Sequence, residues 1–199
     1  MPGSLLGTFS AIALMLATVP QGFIAPQRPI QGTGLVVVPE IRTKIEAALL
    51  ATNALVIADY HRIEFRFGPN LRLDAVIVTV GSSGTRLRGL RVQVQDDKPG
   101  TQLESTSFVD FEEIPALVEA LTSMNDMVKA WTGREDRRTT DLTFITAGGL
   151  RVEVHESGRL PKAVLYTGVL VPVATSFETA DLTALRQAIE QGVDILNAK

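Results

Sequence analysis

The octapeptide GLRVQVQD at residues 89–96 returns as GLRVEVHE at residues 149–156. Both copies alternate apolar and polar residues, which is the period of a strand with one buried face and one wet face. In the first copy Leu90 and Val92 share the apolar phase, and Arg91 lies in the polar phase. The repeat therefore predicts two related strands, each lying in an antiparallel sheet.

A second echo follows the first in the same order. The tripeptide Thr-Ser-Phe at residues 106–108 precedes segment 114–121, and the same tripeptide at 175–177 precedes segment 182–189. Both segments space their apolar residues as an amphipathic helix does. Two echoes in one order predict a diverged tandem duplication. We therefore expect the two octapeptides to form equivalent strands and the two segments to form equivalent helices.

The pattern between the echoes predicts the fold class. Alternating or β-branched runs bounded by turn residues predict strands at 54–67, 71–80, 85–95, 102–109, 141–147, 150–156, 162–167 and 169–177. A strand meander leaves one apolar face bare, and a following helix covers part of it. We predict an α+β fold whose antiparallel sheet is built from two tandem strand-meander-plus-helix repeats, with the helices on one face. The repeat halves are about 54–131 and 141–199, within a single domain over 35–199.

A local signal marks the start of the helix in the first repeat. Asp110 precedes Glu113 by three residues, which is the spacing of an N-terminal capping box. We therefore expect the two carboxylates to cap the helix that follows them.

The amino-terminal segment predicts export. The first 27 residues carry no charged side chain, and Leu5–Val19 is almost wholly apolar. A signal peptide has an apolar core of roughly 7–15 residues. We predict a signal peptide or N-terminal anchor at 1–25, a linker at 26–34, and an exported protein, periplasmic or extracellular. A buried N-terminal helix is the alternative. The run is short for a bilayer span of about 20 residues, so we expect no stable transmembrane helix beyond such an anchor.

The composition excludes several classes of function. The formal net charge is −3 and the aromatic content is 6%, which is unlike the basic surface of a nucleic-acid binder. We therefore expect no nucleic-acid partner. The chain has no cysteine, which excludes disulfides, thiolate catalysis and cysteine-ligated zinc.

Few motifs in the chain indicate catalysis. The glycine-rich turn at 80–85 lacks the Lys-Ser/Thr ending of a phosphate-binding loop, and no Gly-x-Ser-x-Gly or His-Glu-x-x-His motif occurs. Glu153 and His155 project from the same side of a predicted strand, where they could pair as acid and base or bind a metal. A solvated strand face predicts the same pattern. We expect no cofactor and no metal. A hydrolase-like or metal-dependent enzyme using His155 and Glu153 stays open as the alternative.

The polar phases of the two octapeptides suggest a binding surface. Arg91, Arg151, Glu153 and His155 are predicted to share one surface opposite the core. Arginine side chains on a sheet can bind an anionic ligand or an acidic partner surface. We therefore predict a non-enzymatic binding or interaction module, with an unknown protein or a small anionic ligand as partner. An ordinary sheet with one wet face is the alternative.

Three segments resemble an exported bacterial protein family of unknown function. They are FVDFEEIPALVEAL at 108–121, the strand and turn at 142–152 that contains GGLRV, and DLTAL at 181–185. The resemblance spans most of the chain beyond residue 54 and implies export and the fold. It implies no activity and no catalytic residues. The chain departs from an ordinary exported protein in that residues 1–4 carry no basic side chain.

Overall fold

A computed structural model of the protein describes residues 41–65, 70–81, 83–96, 103–131, 139–156 and 161–199. The elements follow in the order α1 (Lys44–Leu49), β1 (Val56–Ile63), β2 (Leu71–Val80), β3 (Thr85–Gln95), β4 (Glu104–Asp110), α2 (Ile114–Trp131), β5 (Asp141–Ile145), β6 (Arg151–His155), β7 (Lys162–Thr167), β8 (Val173–Glu178) and α3 (Leu182–Ala198). One-turn 3-10 helices, Phe111–Glu113 and Thr179–Asp181, lead into α2 and α3. The predicted signal segment and linker lie outside the described residues, so their assignment stays a prediction.

The strands form two four-stranded antiparallel sheets, and each sheet is followed by a helix. The first sheet has the order β1-β2-β3-β4 and the second β5-β6-β7-β8, so every neighbour in a sheet is also a neighbour in sequence. This arrangement confirms the predicted α+β class and the two tandem sheet-plus-helix units. The strands of the two units form two separate sheets and not one shared sheet.

The two octapeptides do not occupy equivalent places. Residues 89–95 of the first octapeptide lie in β3, the third strand of its sheet, whereas residues 151–155 of the second lie in β6, the second strand of the other sheet. The predicted equivalence of these strands is therefore wrong. The two Thr-Ser-Phe tripeptides do occupy equivalent positions, because they lie in β4 and β8, the fourth strand of each sheet. Both octapeptides form inner strands with one buried phase and one phase that is mostly half-buried, and that environment selects the same alternation in either strand position.

The two long helices are exchanged between the repeats. Helix α3 packs against β1, β2 and β3, which belong to the first repeat, while α2 packs against α3 and against β5 of the second. Gly192 of α3 lies so close to the first sheet that a Cβ there would be 2.8 Å from both Ile63 Cδ1 and Leu90 Cδ2. Apolar residues of both sheets and both helices form one buried cluster. Each sheet therefore depends on the other repeat for part of its core.

Helix α1 covers the opposite face of the first sheet. Its buried residues Ile45 and Ala48 pack on Val76 and Val78 of β2. Thr43 and Glu46 form a capping box at its start: the Thr43 hydroxyl accepts from the Glu46 N–H, and the Glu46 carboxylate accepts from the Thr43 N–H. Both broad faces of the first sheet are thus packed against helices.

Asp110 and Glu113 do not cap the helix that follows them. Asp110 makes no side-chain cap to its own helix, and its carboxylate accepts from the N–H groups of Lys44 (2.8 Å) and Ile45 (3.2 Å) in α1. Glu113 accepts from the N–H of Ala147, 34 residues away (2.9 Å). The predicted capping pair is therefore wrong, because both carboxylates bind backbone donors from distant segments.

The second sheet is joined to the free edge of β4. Gly168 N–H donates to the Ser107 hydroxyl (3.0 Å), and the Thr167 hydroxyl donates to the carbonyl of Ser105 (3.0 Å). A Cβ at Gly148 would clash with the carbonyl oxygen of Phe108, so this approach requires glycine. These contacts join the loop ends of the second sheet to the first. In the part of the chain that the structure describes, no helix is long and apolar enough to cross a membrane.

Candidate functional site

Arg91 lies in β3 and holds a buried carboxylate. Asp74 on β2 has no exposed surface and accepts from Arg91 Nε (3.0 Å) and Nη2 (2.8 Å). Arg72 donates to the same carboxylate, with its Nε 3.0 Å from Oδ2. The Arg91 guanidinium also lies over the Tyr60 ring, 3.8 Å from its centroid. A buried charge is tolerated only where it is paired, so Arg91 has a structural role in the first sheet.

Arg151 is also paired with a carboxylate and stacked on a tyrosine ring, and it is more exposed than Arg91. It lies at the start of β6, its guanidinium stands 4.0 Å from the centroid of the Tyr166 ring, and its Nε is 3.2 Å from Glu153 Oε1. Its side chain is 35% exposed, compared with 15% for Arg91. Burial is the largest cause that raises the pKa of the Tyr166 hydroxyl above its usual value.

His155 is held between two carboxylates. Its Nδ1 is 2.9 Å from Asp141 Oδ1 on the neighbouring strand, and its Nε2 is 3.0 Å from Glu153 Oε2 on its own strand. The hydrogen bond with Asp141 is the main cause that raises the pKa of His155. Both ring nitrogens are donors in the imidazolium form, which fits two carboxylate acceptors. A role as general base or metal ligand would require one nitrogen to leave its carboxylate.

The structure brings together three of the four predicted site residues. Arg151, Glu153 and His155 form a contiguous chain of ion pairs on β6, and Leu150, Val152 and Val154 are buried in the opposite phase. Arg91 makes its ion pair and its ring contact within the first sheet. Among the described residues, no group of three or more His, Asp and Glu side chains is placed to hold a metal ion.

The three residues belong to a broad solvent-facing surface, which we call the outer face. It consists of the side chains in the polar phase of all four strands of the second sheet. They are Asp141, Thr143 and Ile145 of β5, Arg151, Glu153 and His155 of β6, Lys162, Val164 and Tyr166 of β7, and Ala174, Ser176 and Glu178 of β8. Every one of these residues is exposed or half-buried. No helix among the described residues packs on this side, in contrast to the first sheet with α1.

One end of the outer face forms a small cleft with mixed chemistry. This hairpin cleft has a volume of about 160 Å³ and lies at the loop ends of β5–β6 and β7–β8. Two arginines contribute to its lining, with a tyrosine, two glycines and three apolar residues: Arg42, Ile145, Gly149, Arg151, Tyr166, Gly168, Val169 and Pro172. The cleft thus combines cationic and apolar groups in one concavity.

The loop beside the cleft exposes consecutive apolar side chains. Leu170 and Val171 are 62% and 64% exposed, and Val169 before them is 42% exposed. Ile145, across the end of the sheet, is 59% exposed. Single exposed apolar residues are ordinary, but a cluster rimmed by polar groups marks an interaction site.

Sequence reasoning missed Asp141, Tyr166, Arg42 and the 169–171 loop. Asp141 and Tyr166 reach the site through strand register, since Asp141 pairs with His155 and Tyr166 with Arg151. The apolar run at 169–171 offered a signal for this surface: the sequence predicts a strand there, and the structure has a loop before β8. The Pro172 that follows it was the indication of a break.

Comparison of the chain with protein-family models, with curated proteins and with solved structures gave no match. The resemblance to an exported bacterial family therefore stays a prediction.

Proposed function

We propose that this protein is an exported binding module that recognises a partner protein through the outer face, with Arg151 and Lys162 as the contacts for acidic side chains of the partner. The observation that carries the proposal is the contrast between the two sheets. The first sheet has helices on both faces, while the second presents exposed or half-buried side chains of all four strands with no described helix above them. A wide exposed sheet face beside an apolar loop has the composition of an interaction surface.

The chemistry of the face favours a protein over a small anion. Arg151 and His155 already pair with Glu153, so a single small anion would compete with a carboxylate held in place. A protein surface makes many contacts at once and also covers the exposed apolar loop. Tyrosine and arginine, here stacked as Tyr166 and Arg151, are the residue types that dominate interface energetics.

An NMR titration with a hexaglutamate peptide tests the proposal. The full-length protein should show amide shifts confined to the outer face, and these should weaken as salt is raised. Hexalysine should leave the face unchanged. The variant Arg151→Gln should reduce the shifts, while Arg186→Gln should not, because Arg186 pairs with Glu190 on α3. Shifts scattered over the whole surface, or equal shifts with hexalysine, would refute the proposal.

Export is supported by the charge-free, apolar amino-terminal sequence. Amino-terminal sequencing of the protein made in its native host tests this part. A mature end near residue 25 is expected for a cleaved signal. An intact Met1 on protein from the cytoplasmic fraction would contradict export and leave the outer-face proposal standing.

The enzymatic alternative uses the same side chains and stays a prediction. A metal-dependent role for His155 and Glu153 requires the purified protein to carry a stoichiometric metal, which elemental analysis measures directly.

A further inference from the structure

We propose that the outer edge of β1 pairs with the same edge of a second copy of this chain, in an antiparallel register centred on Tyr60. The pairing joins the two copies of the first sheet into one continuous sheet. The inference goes beyond the proposed function and is independent of it, because β1 shares no residue with the outer face. It is carried by an edge strand whose side chains complement those of a reversed copy of the same strand.

Strand β1 is a long and regular edge. All eight of its residues are in continuous register with β2, and no other described strand pairs with it. Proteins usually protect such an edge with a proline, a lysine, a bulge or a very short strand. The segment VIADYHRI contains no proline and no lysine, and its register with β2 has no bulge. The opposite edge of the sheet, β4, is already joined to the second sheet, so β1 is the edge that can accept a further strand.

Side chains on both sides of this edge strand are accessible. The exposed residues are Ile57 and Asp59 in one phase and Tyr60 and Arg62 in the other. Ile57 is 50% exposed, and Leu55, just before the strand, is 70% exposed. Exposed apolar side chains along an edge strand indicate a contact surface, and a paired strand covers them.

Symmetry limits the possible registers to very few. Residues opposite each other in an antiparallel pair project to the same face, so the two-fold axis of a symmetric pair passes beside a residue and not between two residues. Centres at Asp59 and at Tyr60 give the longest pairings, over 56–62 and 57–63. A centre at Asp59 places two carboxylates opposite each other, which is destabilising. The favoured centre is therefore Tyr60.

The register centred on Tyr60 pairs a carboxylate with an imidazole twice. Asp59 lies opposite His61 of the partner subunit, and the two-fold axis repeats this pair. Within the described part of the chain neither Asp59 nor His61 has a charged partner. A carboxylate accepts a hydrogen bond from an imidazole N–H whether the ring is neutral or charged. Charged residues on an edge normally discourage strand pairing, whereas in this register they form complementary pairs.

Apolar and aromatic contacts flank these polar pairs. Ile57 lies opposite Ile63 of the partner subunit at each end of the pairing. On the other face the two Tyr60 rings are neighbours at the axis, and each keeps its stack with Arg91. Aromatic and β-branched cross-strand pairs stabilise a sheet. An unrelated extended peptide gains the same backbone hydrogen bonds without these side-chain pairs, so the edge favours a second copy.

Cysteine cross-linking of the full-length protein tests the register directly, because the natural chain has no cysteine. Tyr60→Cys places the thiol opposite its own copy, where the Cα atoms are about 4.5–5.5 Å apart and a disulfide can form. Arg62→Cys is the matched control, since its copy lies four positions along the partner strand, about 13 Å away. With diamide as oxidant, we expect Tyr60→Cys to form the disulfide dimer about tenfold or more faster than Arg62→Cys.

Sedimentation equilibrium measures the association itself. His61→Glu places two carboxylates opposite each other twice in the dimer, so it should raise the dissociation constant about tenfold or more. Asp59→Lys should also weaken the dimer, while the double variant Asp59→Lys, His61→Glu should restore it. Met127→Lys, which replaces an apolar residue of similar exposure on α2, is the control and should leave the dimer unchanged. Trp131, the single tryptophan and a buried one, reports by fluorescence whether each variant is folded.

Several outcomes would overturn the inference. These are a natural protein that stays monomeric up to millimolar concentration, equal cross-linking rates at positions 60 and 62, or a dimer that His61→Glu leaves unchanged. A folded double variant that does not dimerise would refute the register centred on Tyr60. The hexaglutamate titration is decided separately: if a monomeric protein binds hexaglutamate at the outer face, only this inference fails and the proposed function stands.

Discussion

Arg91 and Arg151 occupy the same position of the two octapeptides, yet their replacement by alanine should have very different effects on stability. Arg91→Ala removes two hydrogen bonds from the fully buried carboxylate of Asp74. An orphaned buried charge costs about 3–5 kcal/mol. Asp74 keeps its contact with Arg72, so we expect a loss of about 2–3 kcal/mol in the free energy of unfolding.

Arg151→Ala should cost about 1 kcal/mol, as the sum of two small contributions. Its partner Glu153 keeps the contact with His155, and a solvent-exposed ion pair contributes only about 0.2–1 kcal/mol. The stack on Tyr166 adds a contribution of the same size at a partly exposed site. The difference between the two variants therefore comes from the burial of Asp74 in one cluster and solvent access in the other.

Urea denaturation followed by Trp131 fluorescence measures both variants. With a urea dependence of about 1.5–2 kcal/mol per molar, Arg91→Ala should lower the midpoint by about 1–2 M, and Arg151→Ala by about 0.5–0.7 M. The double variant Asp74→Leu, Arg91→Met should recover much of the loss, because no charge is left buried. A midpoint for Arg91→Ala at or above that of Arg151→Ala would refute the assignment of Arg91 to structure and Arg151 to the binding surface.

By NMR, His155 should titrate above the ordinary histidine value near 6.5, because the hydrogen bond with Asp141 raises its pKa. Its contribution to stability is present below the unfolded pKa and is lost as pH rises through the higher folded pKa, and His155→Gln should remove this pH dependence. Gly148→Ala should destabilise the protein by several kcal/mol in the same urea assay, because its Cβ meets the backbone oxygen of Phe108, whereas Gly84→Asn should cost little, since nothing surrounds that left-handed position. A fragment that ends after α2 should lack a cooperative unfolding transition, and adding the remaining fragment should restore it, because α3 covers the first sheet.

Local pattern was enough for most elements of the fold. Alternating or β-branched runs bounded by turn residues predicted β2, β3 and β7 at their observed bounds, and the apolar stripes predicted α2 and α3. The same pattern placed the inner and outer phases of β6 correctly. These features depend on the period of each element, which is a property of neighbouring residues in the chain.

Interactions between distant segments explain why two predictions were wrong, the capping box at Asp110 and the equivalence of the two octapeptides. The Asp110–Glu113 spacing satisfied the rule for a capping box, yet Asp110 binds the start of α1, 65 residues away. A carboxylate binds whichever unsatisfied N–H groups the packed structure brings closest, and spacing alone carries no information about these. The prediction that the two octapeptides form equivalent strands was wrong for a similar reason. Alternation indicates that one side of a strand is buried, and it carries no information about the position of that strand in the sheet.

The sequence by itself determined the α+β class, the two sheet-plus-helix units and the polar phase that holds Arg91, Arg151, Glu153 and His155. Tertiary structure alone decided that α3 packs on the first sheet, that Asp74 neutralises Arg91, and that Arg42 and Tyr166 join Arg151 at a cleft. The physical reason lies in the range of the forces involved. Periodic burial is encoded within a few residues, whereas ion pairing, ring stacking and helix exchange depend on strand register and on the packing of segments far apart in the chain.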